Sequence, residues 1–543
     1  MIRAPHLLAQ EPAAAESPRG APRPWWEGRP FVAAMILLAF VPLLYPQIPP
    51  LVDIGGHMGR YKVAADLADS PVLQQWFSFR WLPIGNLGVD LLVVPLAKLI
   101  GVEAATKLVV MSIPPMTVAG MLWVAREVHN RLPPTVAFAL PLAFGHPFMF
   151  GFVNFALSMA LALLAFGLWL RLGRLGKPTL RALLFIPISF VVYFAHTFGW
   201  GTLGLLCFSA EAVRQHDRGT SWWMAGPRAA FHASALALPA ALVLLWRSEA
   251  TGGLTHLWFD WEYKWEYLLR MFRDRWEAFD LVSAAVVLSV PLFALVHPRL
   301  TLSRNLAFSG LILAATYVLL PRIVFGSAYA DMRLVPFAAA IFVLAVRFKA
   351  ETRYPLATWL ALAAAGFMLV RLVGTTTSMA MAGRKQAEQL QALDHIEQGS
   401  RLAVLIWDEC EQWALRRSDH LGALATVRKE AYTNDHWPMA GSSLLKVRYP
   451  QAGWFQRDPS QIVRDRGCRH EGWSVRAALA NLPRGAFDYL WLVDMRPIPR
   501  KWVSDWRPIW ATRDSILLKK IPLTEIDEEP LPGKRRTASA AGR

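Results

Sequence analysis

The feature that most constrains this chain is a set of long stretches that carry no charged side chain. Asp, Glu, Lys and Arg are all absent from three such runs, which lie between Lys107 and Arg126, between Arg131 and Arg171, and between Arg181 and Glu211. A helix that crosses the hydrocarbon core of a bilayer needs about 20 apolar residues. Uninterrupted runs of this length exclude a membrane β-barrel, whose strands alternate polar and apolar positions. The sequence therefore predicts a membrane protein built from helices.

Composition and charge narrow the class further. Of the 543 residues, 54% are hydrophobic and 18% are charged, which is too apolar for an ordinary water-soluble protein. The 57 Lys and Arg against 40 Asp and Glu give a net charge of +17, which in a soluble protein would suggest a nucleic-acid partner. Here the basic residues cluster in short connections between apolar runs, where cytoplasmic retention of Lys and Arg explains them. We therefore expect no nucleic-acid partner.

The basic loops also predict the topology. They recur near residues 19–29, 126–131, 171–181, 214–228, 299–304 and 347–353, and the chain must cross the membrane an even number of times between cytoplasmic loops. The prediction is about 11 spans with a cytoplasmic N-terminus and an outer C-terminus, residues 178–213 being divided near 197–201. Residues 87–100 are apolar but short, which predicts a re-entrant or surface helix. If that segment crosses the membrane, the predicted orientation of every later segment is inverted.

The predicted fold is a polytopic α-helical membrane protein with a C-terminal extracytoplasmic α/β domain. Apolar segments 401–407 and 487–493 indicate buried strands, and 388–397 and 474–482 indicate helices. The predicted organisation is a disordered cytoplasmic tail (1–28), a transmembrane domain (29–380) with outer loops at 48–103 and 247–279, an α/β domain (385–525) and a disordered tail (530–543). Cys410 and Cys468 lie in the α/β domain and can form a disulfide only if it faces an oxidising compartment.

The second outer loop carries aromatic residues at helical spacing between Trp258 and Trp276. This pattern predicts an amphipathic helix that lies in the headgroup region with its aromatic face in lipid. Two roles are open for it. The simpler is a surface anchor, and the other is a wall for a lipid-linked ligand.

Unusual polar residues gather on one side of the predicted membrane domain. Ionisable groups near membrane depth are costly and mark ligand or ion paths. Their convergence on the outer face predicts a single outward-facing site. The candidate site residues are Asp53, His57, Arg60, Tyr61, His146, Asn154, His196, Asp331 and Arg333.

The first cluster follows the first span. A helix that starts near Asp53 places Asp53, His57, Arg60 and Tyr61 on one face. A carboxylate beside an imidazole and a guanidinium can accept a hydroxyl proton while the cation binds an anion. Asp53 can equally act as a simple cap of the helix N-terminus.

The second cluster is the segment Asp331-Met-Arg333 at the outer mouth of a later span. Arg333 can clamp a phosphate, and Asp331 can fix Arg333 or help to hold a divalent ion. The alternative is an Asp and an Arg that pair only with each other. His196 can be a neutral core histidine, and Asn154 can join two helices by hydrogen bonds.

These motifs resemble those of the GT-C superfamily, the membrane glycosyltransferases that use polyprenyl-phosphate sugars. The resemblance is closest to uncharacterised bacterial members. It rests on three elements, Asp53-x-x-x-His57-x-x-Arg60, Gly151-Phe-x-Asn154 and Asp331-x-Arg333-x-x-Pro336, together with His196. The residue after Asp53 is Ile54, so the acidic pair of the protein O-mannosyltransferases is absent, as is the Trp-Trp-Asp motif of oligosaccharyltransferases.

The resemblance implies an enzyme of the bacterial inner membrane with its C-terminal domain in the periplasm. It implies inverting transfer of a sugar from a polyprenyl phosphate to a glycan, lipid or protein acceptor, with membrane lipid around it. Asp53 would be the base, and Arg333, with Arg60 or His196, would hold the donor phosphate. A divalent cation stays open. The alternatives are a flippase for a lipid-linked saccharide, which should need polar groups along its whole path, and a non-catalytic scaffold for envelope enzymes.

Overall fold

The computed structural model describes residues 24–242, 254–324, 326–349, 354–410, 412–438, 443–464, 468 and 472–522. Most of the predicted N-terminal tail and all of the predicted C-terminal tail lie outside these residues. The part of the first tail that is described is ordered. Trp25–Glu27 form a 3-10 turn, and Trp26 is buried.

Helices make up the first two thirds of the chain. In chain order the α-helices up to residue 233 are α1 (Arg29–Leu38), α2 (Val41–Leu44), α3 (Ile54–Asp66), α4 (Pro71–Trp76), α5 (Gly88–Ile100), α6 (Val102–His129), α7 (His146–Phe150), α8 (Val153–Arg174), α9 (Pro178–Ala195), α10 (Thr197–Asp217) and α11 (Trp222–Ala233). Those that follow are α12 (Trp261–Leu269), α13 (Glu277–Val296), α14 (Arg304–Leu319), α15 (Val335–Ala345), α16 (Tyr354–Gln389), α17 (Leu424–Lys429) and α18 (Val475–Asn481).

The protein is a helical multi-span membrane protein. Within the described residues, five helices are long and apolar enough to cross a bilayer, namely α6, α8, α9, α13 and the helical segment Pro355–His395, which includes most of α16. Four shorter apolar helical segments accompany them, at Arg29–Leu44, Val136–Phe150, Arg304–Leu319 and Met332–Ala345. The count of eleven spans and the orientation stay predictions.

Two predicted boundaries can be compared directly with the helices. The break inside residues 178–213 falls at His196, which separates α9 from α10. The short segment 87–100 forms α5, whose 13 residues extend only about 20 Å at 1.5 Å per residue. That length is shorter than the roughly 30 Å hydrocarbon core, in line with a surface or re-entrant helix.

The aromatic helix of the second outer loop is shorter than predicted. The prediction of one helix from Trp258 to Trp276 is wrong, because α12 ends at Leu269 and a 3-10 turn follows at Arg270–Phe272. The helix ends there because Met271 and Phe272 are buried in the core. Their burial is incompatible with a single helix that keeps all the aromatic side chains on one lipid-facing side. The exposed aromatic side chains of this loop are Trp258, Phe259, Trp261, Trp265 and Trp276.

A mixed β-sheet forms the C-terminal domain. In chain order the strands are β1 (Phe77–Phe79), β2 (Leu300–Leu302), β3 (Val346–Phe348), β4 (Arg401–Asp408), β5 (Tyr432–Thr433), β6 (Leu445–Val447), β7 (Ile462–Arg464), β8 (Tyr489–Val493), β9 (Trp506–Ala511) and β10 (Ile516–Lys520). This sheet contains β4, β5, β7, β8, β9 and β10. The central strand β4 is parallel to β8 on one side and to β5 and β7 on the other, whereas β10 is antiparallel to both β8 and β9. The burial pattern of β4 and β8 is almost continuous, as expected for strands covered on both faces.

The C-terminal domain is attached to the membrane domain at several points. The long helix α16 continues from the membrane into this domain without a linker, and its Gln386 donates a hydrogen bond of 2.7 Å to the carbonyl oxygen of Arg417. Strand β1 (Phe77–Phe79), from the first outer loop, pairs antiparallel with β6 (Leu445–Val447). One hydrophobic core runs through both parts. The two parts are therefore held in a defined relative position.

Candidate functional site

Asp53 lies where the membrane domain meets the C-terminal domain. Its amide donates a hydrogen bond of 3.0 Å to the carbonyl oxygen of Phe150, and its Oδ1 lies 3.9 Å from Nε2 of His420. The neighbouring Gly151 has φ of +102°, and a side-chain carbon there would lie 2.7 Å from the Asp53 amide nitrogen. Gly151 is thus needed for this close approach of two backbone segments.

The carboxylate of Asp53 does not cap α3. Asp53 occupies the position before the first helical residue, but its side chain makes no capping hydrogen bond. In the described part of the chain it accepts no other side-chain hydrogen bond within normal distance. Burial raises the pKa of Asp53 from 3.8 to about 7, against the lowering effects of His420 and Arg333. A carboxyl group with this pKa changes its protonation state near neutral pH, as a general base should.

Arg333 supplies positive charge to the same site. It lies in the 3-10 turn Met332–Leu334 that leads into α15, and its charge and that of Asp53 are close enough to influence each other. The guanidinium lies 4.2 Å from the ring centroid of Phe152 and donates hydrogen bonds of 3.3 Å to Ser327 Oγ and the Ala328 carbonyl oxygen. Its buried Nε has no partner among the described residues.

His196 adds a second donor beside this guanidinium. Its Nδ1 accepts a hydrogen bond of 3.1 Å from the amide of Phe198, at the start of α10. A neutral imidazole that accepts at Nδ1 carries its proton on Nε2. Nε2 lies 3.5 Å from Nη1 of Arg333, and a guanidinium is also only a donor. Two N–H groups therefore lie side by side without an acceptor between them, an arrangement suited to an anion.

Asp331 does not pair with Arg333. Its buried carboxylate lies 3.1 Å from Nζ of Lys264, and it also accepts a hydrogen bond of 2.9 Å from the amide of Met332. Lys264 is anchored by two further carbonyl oxygens, those of Tyr317 and Leu320. These contacts fix the turn that carries Arg333 and leave the Arg333 charge free of this carboxylate.

Arg60 and Asn154 belong to a separate buried network around Asp90. Arg60 Nε lies 2.8 Å from Asp90 Oδ1, and Asn154 Nδ2 donates a hydrogen bond of 2.9 Å to Asp90 Oδ2. Asn154 Oδ1 also accepts a hydrogen bond of 2.6 Å from the amide of Val89. The network joins α3, α5 and α8, and the charge of Arg60 is compensated within it. These contacts favour a structural role for both residues over phosphate binding.

The remaining predicted residues line the surroundings. The His57 ring lies 6.1 Å from that of Tyr61 and 5.2 Å from that of Trp437, and burial lowers the pKa of His57 well below its ordinary value. His146 is buried, and neither of its ring nitrogens has a partner among the described residues. Burial thus favours the neutral form of His57, and the His146 ring lies 5.9 Å from that of Phe150, whose carbonyl oxygen accepts the hydrogen bond of the Asp53 amide.

A metal site is not evident in the part of the chain that the structure describes. No group of three or more His, Cys, Asp or Glu side chains there is arranged to hold a metal ion. The divalent cation that the sequence leaves open for Asp331 thus has no ligand set around that residue, whose carboxylate is engaged by Lys264.

The C-terminal domain also contributes residues to the site, which no sequence motif predicts. His420 Nε2 lies 3.9 Å from Oδ1 of Asp53, and the charges of Asp419 and Asp458 act on that carboxylate as well. A weak signal existed in two Asp-His pairs, Asp419-His420 and Asp435-His436. A third such pair, at Asp394-His395, is exposed, so the pattern alone could not identify the functional one.

Comparison with known proteins gives a structural likeness without a sequence-level match. No family model and no curated protein matches the chain. Among solved structures, the chain is similar to the crystal structure of ArnT from Cupriavidus metallidurans bound to undecaprenyl phosphate, with 9% sequence identity. The likeness covers 90% of this chain and 97% of that chain, with a TM-score of 0.42. A likeness at this level carries no conclusion about the chemistry of the site.

Proposed function

We propose that this protein is an inverting glycosyltransferase that moves a sugar from a polyprenyl-phosphate donor to an acceptor hydroxyl. The observation that carries the proposal is the juxtaposition of the Asp53 carboxylate, whose side chain is only 15% exposed, with the two donors of Arg333 and His196. The first group can remove a proton, and the other two can hold an anionic leaving group. Transfer from a sugar phosphate needs both functions.

In the proposed reaction Asp53 takes the proton of the acceptor hydroxyl while the hydroxyl oxygen forms a bond to the anomeric carbon of the sugar. The bond between that carbon and the phosphate oxygen breaks, and its electron pair leaves with the polyprenyl phosphate. Attack opposite to the leaving group inverts the anomeric configuration. Arg333 and the Nε2–H of His196 stabilise the phosphate as its negative charge increases.

The apolar surroundings suit a lipid-linked donor. Arg333 is packed against the rings of Phe152 and Phe198, and the exposed tryptophans of α12 provide a lipid-facing surface in the second outer loop. The proposal includes a site on the periplasmic face of a bacterial inner membrane, with a glycan, lipid or protein of the envelope as acceptor. The positive-inside bias of the loops supports that orientation.

The test is release of polyprenyl phosphate by the purified full-length protein. Synthetic short-chain polyprenyl phosphates that carry a hexose, a pentose or an amino sugar would be mixed with an envelope extract as acceptor, and the products measured by mass spectrometry. The wild type should consume one of these donors. Asp53→Asn should lower the rate by about 10²–10⁴-fold, the usual contribution of a general base.

The matched control is Asp66→Asn at the other end of α3. Asp66 is partly exposed and pairs with Lys62 at 2.6 Å, so this variant loses a carboxylate of the same helix away from the site. Asp66→Asn should transfer at the wild-type rate. Equal activity of Asp53→Asn and the wild type, with both correctly folded, would contradict the proposal.

A further inference from the structure

We infer that the C-terminal domain completes the catalytic site, with His420 as a positioning residue whose imidazolium holds the Asp53 carboxylate in place and favours its ionised form. This inference rests on the proposed function of Asp53 as the base. It assigns a role to the C-terminal domain, which the sequence analysis leaves without one.

The geometry of His420 directs one particular nitrogen toward Asp53. Its Nδ1 donates a hydrogen bond of 2.9 Å to the carbonyl oxygen of Asp435, so the proton on Nδ1 is engaged within the domain. The other nitrogen, Nε2, is the one that titrates, and it lies 3.9 Å from Asp53 Oδ1. This separation is short enough for a strong charge interaction, and a small shift of the Asp53 carboxylate toward the ring would make it a hydrogen bond.

The ring of His420 is held rigidly in this position. Trp437 packs against it with ring centroids 4.3 Å apart and also contacts His57 of α3. On the other side, a side-chain carbon at Gly55 would lie 2.0 Å from the His420 carbonyl oxygen. The first turn of α3, which follows Asp53, and the loop that carries His420 are therefore in direct backbone contact.

The charges around His420 favour an imidazolium. Burial alone would lower the pKa of His420, but nearby carboxylates outweigh this effect, so the pKa is raised above 6.5. The groups that face it are the carboxylates of Asp458, Asp53, Asp435 and Asp419 and the imidazoles of His57 and His436. Of these carboxylates, Asp419 is paired with Arg416 at 3.0 Å, Asp435 accepts a hydrogen bond of 2.8 Å from the amide of Ala423, and Asp458 accepts one of 2.7 Å from Nε2 of Gln461. Asp53 has no comparable partner among the described residues, so its carboxylate is the one that is free to interact with the His420 imidazolium.

The experiment measures the titration of Asp53 directly, without a substrate. Infrared spectra of the full-length protein in nanodiscs would be recorded across pH, and the difference between proteins with and without Asp53→Asn isolates the band of the Asp53 carboxyl group. His420→Gln should move this titration to higher pH by about one unit or more, the size expected when an opposite charge at this distance is removed. The matched control is His395→Gln, at an exposed histidine that also follows an aspartate.

A second measurement covers the case in which His420→Gln does not fold. Coupling between two sites is reciprocal, so Asp53→Asn should lower the pH at which His420 titrates, observed by NMR of histidine-labelled protein. Transfer by His420→Gln should also recover toward the wild-type rate at high pH. Titration of Asp53 at an unchanged pH in folded His420→Gln, or of His420 at an unchanged pH in Asp53→Asn, would overturn the inference. Normal transfer by Asp53→Asn would instead overturn the proposed function, and the titrations can distinguish the two failures.

Discussion

At the scale of single residues, the position of Asp53 lowers the stability of the folded protein at neutral pH. Its pKa is raised from 3.8 to about 7 by burial, so the folded state binds this proton more tightly than the unfolded state does. The protein should therefore lose stability as pH rises from about 4 to about 7, where the folded group ionises. Asp53→Asn removes this loss.

We predict that Asp53→Asn is more stable than the wild type at pH 8, by on the order of a few kcal/mol. The advantage should shrink as pH falls and disappear below about pH 4, because the wild-type carboxyl is then neutral in both states. The measurement is the thermal unfolding midpoint of both proteins in detergent across this range. A stability difference that is the same at every pH would show that Asp53 is not buried in an unfavourable charged form.

The proposed role of Arg333 can be tested by the binding of a polyprenyl phosphate. We expect Arg333→Gln to weaken binding of a short-chain polyprenyl phosphate by about 10-fold or more, since charged hydrogen bonds contribute about 1.5–3 kcal/mol. Arg333→Lys should retain part of the affinity, because it keeps the charge but loses the planar fork. The dissociation constants can be measured by calorimetry. Arg131→Gln, which breaks an exposed ion pair with Glu27, is the control, and unaltered binding by Arg333→Gln would exclude Arg333 from the phosphate site.

A usable signal for the candidate site was present in the sequence where a polar side chain stood at the end of an apolar run, and the roles of these residues stay predictions. Asp53, His196 and Arg333 were singled out in this way, and the structure brings their side chains together. Such a signal is absent where the partner of a charge is distant in sequence. Asp90, which compensates Arg60, lies 30 positions away, and no local pattern identifies that pairing.

At the scale of elements, the glycines of α3 determine how closely the C-terminal domain docks. Side-chain carbons at Gly55 and Gly59 would lie 2.0 Å from the His420 carbonyl oxygen and 2.4 Å from the His436 ring. One face of this helix is therefore free of side chains where the loops of the sheet domain contact it.

We predict that Gly55→Ala displaces the loop that carries His420 and lowers the transfer rate without removing any reactive group. Overpacking of this kind costs about 1–3 kcal/mol, so the unfolding midpoint should fall as well. Gly204→Ala in α10 is the control, because a side-chain carbon there has no atom within 4 Å. Wild-type activity and stability of Gly55→Ala would show that the contact between α3 and this loop is unimportant.

The elements themselves were predictable to different degrees. Strand β4 and helix α18 follow from continuous apolar and helical patterns and lie close to their predicted bounds. The helix in the second outer loop is shorter than predicted because Met271 and Phe272 turn inward to the core. An aromatic stripe in the sequence does not reveal which of its side chains contact the protein core and which point away from it. The pairing of β1 with β6 joins segments more than 360 residues apart, which local periodicity cannot predict.

At the scale of the whole molecule, the predicted orientation places the C-terminal domain in an oxidising compartment. Cys410 and Cys468 are paired in a disulfide, whereas Cys207 is free and buried. We predict that protein isolated from bacteria with a normal, reducing cytoplasm, denatured and treated with a polymer-linked maleimide, gains one label without a reductant and three with it. Cys207→Ala should gain none without a reductant. Three labels in the absence of reductant would indicate that this domain faces the cytoplasm.

The central claim is that Asp53 acts as the base in a site shared by the membrane and C-terminal domains. The most direct test is the initial rate of sugar transfer between pH 5.5 and 9 for the wild type and Asp53→Asn. The wild-type rate should rise with pH through an inflection near 7, because burial raises the Asp53 pKa to about 7. Asp53→Asn should be slower by about 10²–10⁴-fold and should lack this inflection. The same inflection and similar rates in both proteins would contradict the account.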